Sequence, residues 1–491
     1  MSRSFVSQLS QRFLSKDEKF SRREVLKGMM ASAGALMLSY GFPFNSIAKD
    51  GRRVIVIGAG FSGLAAAFEL SSVGYDVTVL EARERVGGRV HTLYDFIPGK
   101  HVEAGAELIG ANHPTWQAYA KRFKLEMLER TDYPDSEIPC FLNGKLLSPK
   151  EAERLWKEVA EQLNLYNALA EKVDPIQPWK SPNALALDSK TVDSWIDDLK
   201  CSETCKRAIR LSESSDANDP GWESLLGRLS IIKGGGLEKY WTETEVYRCK
   251  GGNQQLAERL ADAIGRPRVR LETPVVAVDV FDKKVAVTLA GGEILEAEDV
   301  VVSVPPGTWK RITFTPPFPP QLSPQMSNQV KFLSEVRSRF WEEDKLAPNS
   351  LSDGPVAETW DATDKQSGEG HACLTVFAGG NAADIGRAWT HDQRMAHYAL
   401  ELERIYPRFA QNFVKGYFAD WPSDPWSQAG YSAPAPGQII TLGPILYGGL
   451  GRLHFCGEHT SFAFQGYMEG GLHSGASLAK RIALRDKVVS G

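Results

Sequence analysis

Apolar residues run unbroken over 54–57 (Val-Ile-Val-Ile), enough for one strand buried on both faces. Gly58, Gly60 and Gly63 follow in the spacing G-x-G-x-x-G. A run of small and apolar residues over 64–70 predicts a helix packed close to its neighbours, and Gly74 breaks it. Residues 77–80 are the next apolar run, and Glu81 closes it. From about 130 to 240 the period changes. Apolar positions recur at helical spacing there, as over 149–171, with Pro- and Ser-containing breaks at 175–183 and 212–220. Gly234, Gly235 and Gly236 read as a flexible turn. Residues 269–280 and 284–290 alternate like paired strands. A buried strand over 299–304 is stopped by Pro305 and Pro306. A last short strand near Phe455 runs into a turn, and the final helix opens near Gln465.

Strand, glycine turn, helix and strand over 54–81 form a βαβ unit suited to a dinucleotide. Gly58 permits the tight turn, Gly60 lets a pyrophosphate approach the backbone, and Gly63 lets helix and strand pack closely. The helix N-terminus, with its unpaired N–H groups, favours the phosphate charge. Glu81, at the end of the second strand, is placed to accept hydrogen bonds from a ribose diol.

Composition narrows the class further. At 491 residues and 42% hydrophobic, the chain is too long for one simple core, and two domains are expected. A net charge of −4 carries no nucleic-acid footprint. The nine histidines show no H-E-x-x-H or paired-ligand spacing. Of six cysteines only Cys201 and Cys205 are close, and their three-residue gap fits neither a redox nor a zinc pair. Metal chemistry is not expected.

Residues 1–48 read as a signal peptide outside the fold. Ser21-Arg22-Arg23-Glu24-Val25-Leu26-Lys27 is a twin-arginine signal, followed by an apolar stretch over 28–44 that is short for a membrane span. Ser46 and Ala48 suit cleavage after Ala48, with an uncleaved anchor as the alternative. The implied partner is the twin-arginine translocation machinery, and the implied location is the periplasm or beyond.

After Glu81 comes Arg83-Glu84-Arg85-Val86-Gly87-Gly88-Arg89. Adjacent glycines allow backbone approach to a ligand, and Arg89 offers a planar fork to a phosphate or a polarised carbonyl. With G-G-R directly after the ribose acid, the chain resembles the flavin-dependent amine oxidase family, which includes monoamine, polyamine and L-amino acid oxidases. Further segments resemble it too. They are 102–107 (V-E-A-G-A-E), 250–256 (K-G-G-N-Q-Q-L), 273–276 (T-P-V-V), Lys331 ten residues before Trp341, 453–460 (L-H-F-C-G-E-H-T) and 465–471 (Q-G-Y-M-E-G-G). The resemblance covers nearly all of residues 51–485. It is weak over 130–240 and 340–415.

The resemblance implies an α/β fold. A Rossmann-type FAD-binding domain is assembled from three segments, 51–130, 245–312 and 420–491. A mixed α+β substrate domain covers 131–244 and 313–419. It implies that FAD is bound by Gly58, Gly60, Gly63, Glu81, Arg83, Gly88, Arg89, Gly105, Ala106, Val275, Gly457, Glu458 and Met468. Backbone groups of Val275 would hold the adenine, and the helix beginning near Met468 would face the flavin pyrimidine. Lys331 would hold a water against flavin N5, and Tyr431 and Tyr467 would form the two walls of an aromatic cage. Gly430 stands where mitochondrial relatives carry the cysteine that is joined to the flavin, so FAD is expected to be noncovalent. Glu107 is a substrate candidate, or equally a hydrogen-bonded structural acid. Cys456 is read as a buried structural residue.

The expected reaction is oxidation of an amine or amino acid by hydride transfer to flavin N5. An imine forms and is hydrolysed to an aldehyde or keto acid with ammonia, and electrons pass to dioxygen, giving hydrogen peroxide, or to a periplasmic acceptor. Carbon–carbon desaturation of the phytoene desaturase type is the alternative, and a non-enzymatic assembly role a third reading. Snake-type amino-acid oxidases carry an arginine where this chain has His91, which weakens an amino-acid substrate. The particular amine, the electron acceptor and the oligomeric state, a homodimer included, are left open.

Overall fold

The computed structural model describes residues 51–133, 135–368 and 370–489, so the twin-arginine segment lies outside the described residues. Its centre is a five-stranded, wholly parallel sheet in the order Leu453–Phe455, Asp299–Val302, Arg53–Ile57, Asp76–Leu80, Val269–Arg270. Four of the five residues of Arg53–Ile57 are buried, as the unbroken apolar run requires of a strand covered on both faces. The helix Phe61–Ser72 lies against this strand, and its Ala65, Ala66 and Ala67 are fully buried. The last helix, Met468–Arg485, crosses it closely. A side chain at Gly475 would meet the Ser62 carbonyl at 2.2 Å, so both helices need small residues where they touch.

Two further sheets flank this unit. One has the order Ile294–Ala297, Val285–Leu289, Val275–Val280, Thr313–Thr315, with antiparallel pairs except the last. The other has seven strands: Phe413–Asp420, Val330–Val336, Ala372–Ala378, Glu358–Asp361, Ser350–Ser352, Cys140–Leu142 and Lys145–Leu146. Every residue of Val330–Val336 is buried, Lys331 and Glu335 included. The helical region opens with Pro149–Ala170. It begins where Ser148 and Glu151 form a reciprocal capping box and Pro149 takes the first turn. This helix shares a hydrophobic core with Glu203–Asp216 and Leu225–Gly234.

The glycine triplet at 234–236 proves to be a point of close contact. A side chain at Gly234 would lie 2.2 Å from the Ala463 carbonyl, and one at Gly235 would run into Tyr240 at 2.7 Å. Packing against the segment before the last helix therefore demands glycine at 234, and the neighbouring Tyr240 demands it at 235.

Candidate active site

One cavity runs from the carboxyl ends of the parallel strands to the seven-stranded sheet, with about 280 Å³ reachable by the centre of a water molecule. Ile57, Leu80 and Ser303 form its floor where the parallel strands end, the usual place for a ligand in such a sheet. Gly58 has φ +106°, a conformation that a side chain resists. Gly63 sits behind the wall. A Cβ there would lie 2.1 Å from the Gly58 carbonyl, so the helix can start at this depth only with glycine. Gly60 is the N-cap of the helix Phe61–Ser72 and brings no capping side chain. The first helical amides therefore face the cavity with their charge unanswered by the protein.

Glu81 accepts from the backbone N–H of Ala59 at 2.7 Å and of Arg83 at 2.9 Å. Burial raises its pKa, and these bonds oppose that rise. The Arg83 guanidinium forks onto Asp424 at 2.9 and 2.5 Å and reaches Ser427 Oγ at 3.0 Å. Gly87 bridges to Gly60, and Gly88 comes so near that a Cβ on it would stand 3.2 Å from the Gly60 Cα. The two glycine elements therefore form one cradle. Arg89 donates to the Gly430 carbonyl at 2.7 Å and to Glu458 at 3.0 Å. Gly105 lies under the Arg89 carbonyl with no room for a side chain, and Ala106 N–H donates to that carbonyl at 3.1 Å.

Val275 lines the cavity at the start of its strand. Glu458 accepts from Ser432 Oγ at 2.6 Å and Gly466 N–H at 2.9 Å. Burial alone would raise its pKa, but Arg89 and these donors hold it below the ordinary value. Gly457 lies behind the wall, and its N–H donates to Ser474 Oγ at 2.9 Å. Met468 opens the last helix, whose N-cap, Tyr467, also supplies no capping side-chain bond. Two uncapped helix N-termini thus meet the same cavity. Gln465 adds a buried Oε1 with no acceptor bond among the described residues. A long ligand carrying phosphates, a ribose diol and a ring with N–H groups fits these donors and acceptors.

At the other end, Lys331 Nζ donates to Glu107 Oε2 at 2.8 Å and to the Glu103 carbonyl at 3.1 Å, and stands 5.3 Å from the centre of the Trp360 ring. Glu107 Oε1 accepts from Arg248 Nε at 2.8 Å and Trp360 Nε1 at 2.9 Å. Arg248 also pairs with Asp364 and donates to the Asp361 carbonyl. Burial would raise the Glu107 pKa, yet the charges of Lys331 and Arg248 bring it down to about 2. Sequence reading missed Arg248, Trp360 and Asp364. The local sign was an arginine between the apolar Tyr247 and Cys249, just before the second glycine pair.

Tyr431 and Tyr467 line the cavity together with Lys331. The Tyr431 hydroxyl donates to the Asp216 carbonyl, and its ring lies so near Gly466 that a Cβ there would touch it at 3.0 Å. The Tyr467 ring meets His113 edge-on at 5.2 Å between centres. Gly430 is closed to any side chain, because a Cβ would lie 2.8 Å from the Gln329 backbone nitrogen. The structure therefore brings all three proposed reaction residues to one cavity, continuous with the glycine cradle.

Comparison with known proteins identifies the family. Residues 61–483 match the model of the flavin containing amine oxidoreductases. An L-amino acid dehydrogenase of Synechocystis sp. is 27% identical over 87% of this chain and 94% of its own. Amine oxidase [flavin-containing] B of Sus scrofa is 27% identical, over 87% and 85%. Among solved structures, cyclohexylamine oxidase from Brevibacterium oxydans superposes with a TM-score of 0.81 at 29% identity, over 89% of this chain and 99% of its own. A putrescine oxidase variant gives 0.81 at 25% identity, over 88% and 99%. Relatives of this kind favour amine chemistry over carbon–carbon desaturation. With the family model spanning most of its length, the chain belongs to the flavin-containing amine oxidoreductase family.

Proposed function

We propose that the protein is an FAD-dependent oxidase of a mono-, di- or polyamine or an L-amino acid. The observation that carries this reading is the buried Lys331 ammonium in one cavity with Tyr431 and Tyr467, continuous with the glycine cradle. When bound, FAD accepts a hydride equivalent from the carbon next to the substrate nitrogen. The amides after Gly60 would hold the pyrophosphate, and Glu81 would hold the ribose. Gly88, Arg89, Gly105 and Ala106 would hold the ring system, and the uncapped helix end at Met468 would favour the negative charge that reduction brings. Lys331 holds a water at its Nζ on the reacting side. Tyr431 and Tyr467 orient the amine and strip it of water. That favours the neutral form, whose lone pair assists hydride loss. Water hydrolyses the imine to an aldehyde or keto acid and ammonia, and dioxygen, or a periplasmic acceptor, takes up the electrons.

An anaerobic screen over amines and L-amino acids tests the reading. At least one should bleach the yellow oxidised cofactor and yield ammonia. A cofactor that stays oxidised with all of them contradicts it.

Noncovalent attachment follows from Gly430, which has no nucleophile and no space for one. Acid or hot detergent should release free yellow FAD into the supernatant, whereas colour in the precipitate would refute noncovalent binding. Export is proposed from Arg22 and Arg23. Changing both to Lys should leave folded, flavin-loaded protein in the cytoplasm, since the receptor reads the arginine pair. Undiminished periplasmic protein would remove the export reading.

A further inference from the structure

A lysine side chain is long and flexible, and an ammonium has three donors that can turn freely. At Lys331 that freedom is gone. Its strand is buried along its whole length, and two of the three donors are taken, by Glu107 Oε2 at 2.8 Å and the Glu103 carbonyl at 3.1 Å. One N–H remains, and Lys331 lines the cavity.

Glu107 is held as firmly as it holds. Its second oxygen takes Arg248 and Trp360, from two other strands. Its main chain is fixed too, because Asn253 Nδ2 donates to the carbonyls of Ala106 at 3.0 Å and Glu107 at 2.8 Å. Both oxygens of Glu107 are thus engaged inside the protein. Lys331, Glu107, Arg248 and Asp364 alternate in sign, so their charges cancel as a set.

We infer that Glu107, braced by Arg248, is the positioning residue for Lys331: it aims one N–H into the cavity and cancels the ammonium charge beside the reacting end. This rests on the reading that Lys331 serves that end. Two properties separate, namely reach and charge. Glu107→Asp keeps the charge and shortens the reach. Glu107→Gln keeps the reach and leaves the ammonium unbalanced, which favours negatively charged reduced flavin.

The holoenzyme variants are compared by rapid-mixing reoxidation with dioxygen and by reductive titration against a reference dye. Glu107→Gln should raise the flavin midpoint potential by about 30 mV or more, equal to about tenfold in a two-electron equilibrium. Both variants should slow reoxidation about tenfold, and Glu107→Asp should leave the potential where it was. In a Lys331→Met background neither change should alter reoxidation more than about twofold, because distance-coupled effects vanish when the partner is gone. If Glu107→Gln does not load flavin, Glu107→Asp in the two backgrounds decides alone. Wild-type reoxidation in the Glu107 variants, with a clear Lys331→Met defect, overturns the positioning role and spares the reading of Lys331. So does an equal slowing in both backgrounds. A Lys331→Met enzyme that behaves as wild type removes that reading itself.

Discussion

Replacing Lys331 with Met is expected to slow reoxidation of the reduced enzyme by dioxygen at least about tenfold while FAD stays bound. Methionine keeps the length of the side chain and removes its donors. What would be lost is the one charge-assisted interaction proposed for Lys331 with a water at the reacting side, and ~1.4 kcal/mol of barrier corresponds to that factor. The anchors proposed for the flavin, Gly58, Gly60, Glu81 and Arg89, are untouched. The exchange does leave Glu107 without one partner, which in a buried pair costs stability. Arg248 and Trp360 remain on the carboxylate, so the site keeps its shape. Substrate-driven reduction also slows if the water helps the imine to leave, and the two half-reactions must therefore be timed separately by stopped flow. Wild-type rates in both would reduce Lys331 to a packing residue.

Replacing Gly63 with Val should empty the enzyme of flavin. The first new carbon would stand 2.1 Å from the Gly58 carbonyl and 2.5 Å from Ser303 Oγ. The Gly58 carbonyl is backbone and cannot turn aside, and Ser303 Oγ is held in place by donating to the Ile57 and Gly58 carbonyls. The helix Phe61–Ser72 has to back away from its strand, carrying the uncapped amides out of reach of a pyrophosphate. Overpacking of this kind costs about 1–3 kcal/mol in stability alone. Flavin content of the purified variant should fall to about a tenth of wild type or less, since each ~1.4 kcal/mol of lost binding is tenfold. A fully yellow variant would show that the helix tolerates the shift and that the glycine is there for another reason.

The parallel sheet and its cradle were legible because they rest on local sterics. A four-residue apolar run ended by a glycine turn reads as a strand covered on both faces, and glycine is required by the positive φ at Gly58 and by the Gly58 carbonyl at Gly63. The pairing around Lys331 was not legible. Glu107 lies 224 residues away, and Arg248 comes from a third segment. Nothing in the periodicity of 330–336 says which strand of another segment faces it. Reading Glu107 as a substrate carboxylate or a structural acid followed from seeing one acid without its neighbours. At Gly430 the sequence revealed the missing nucleophile, but the crowding by Gln329 depends on a contact made across the fold. Gly234 was opaque for the same reason, since Ala463, which crowds it, lies more than two hundred residues on.

Cleavage of the carbon–hydrogen bond beside the substrate nitrogen is the central proposed step. The direct measurement is anaerobic stopped-flow reduction of the holoenzyme by an amine substrate, with hydrogen or deuterium on that carbon. The yellow band should bleach with the amine, and deuterium should slow the bleaching several-fold. Bleaching at one rate for both isotopologues, or an oxidised flavin that no amine reduces, would contradict it.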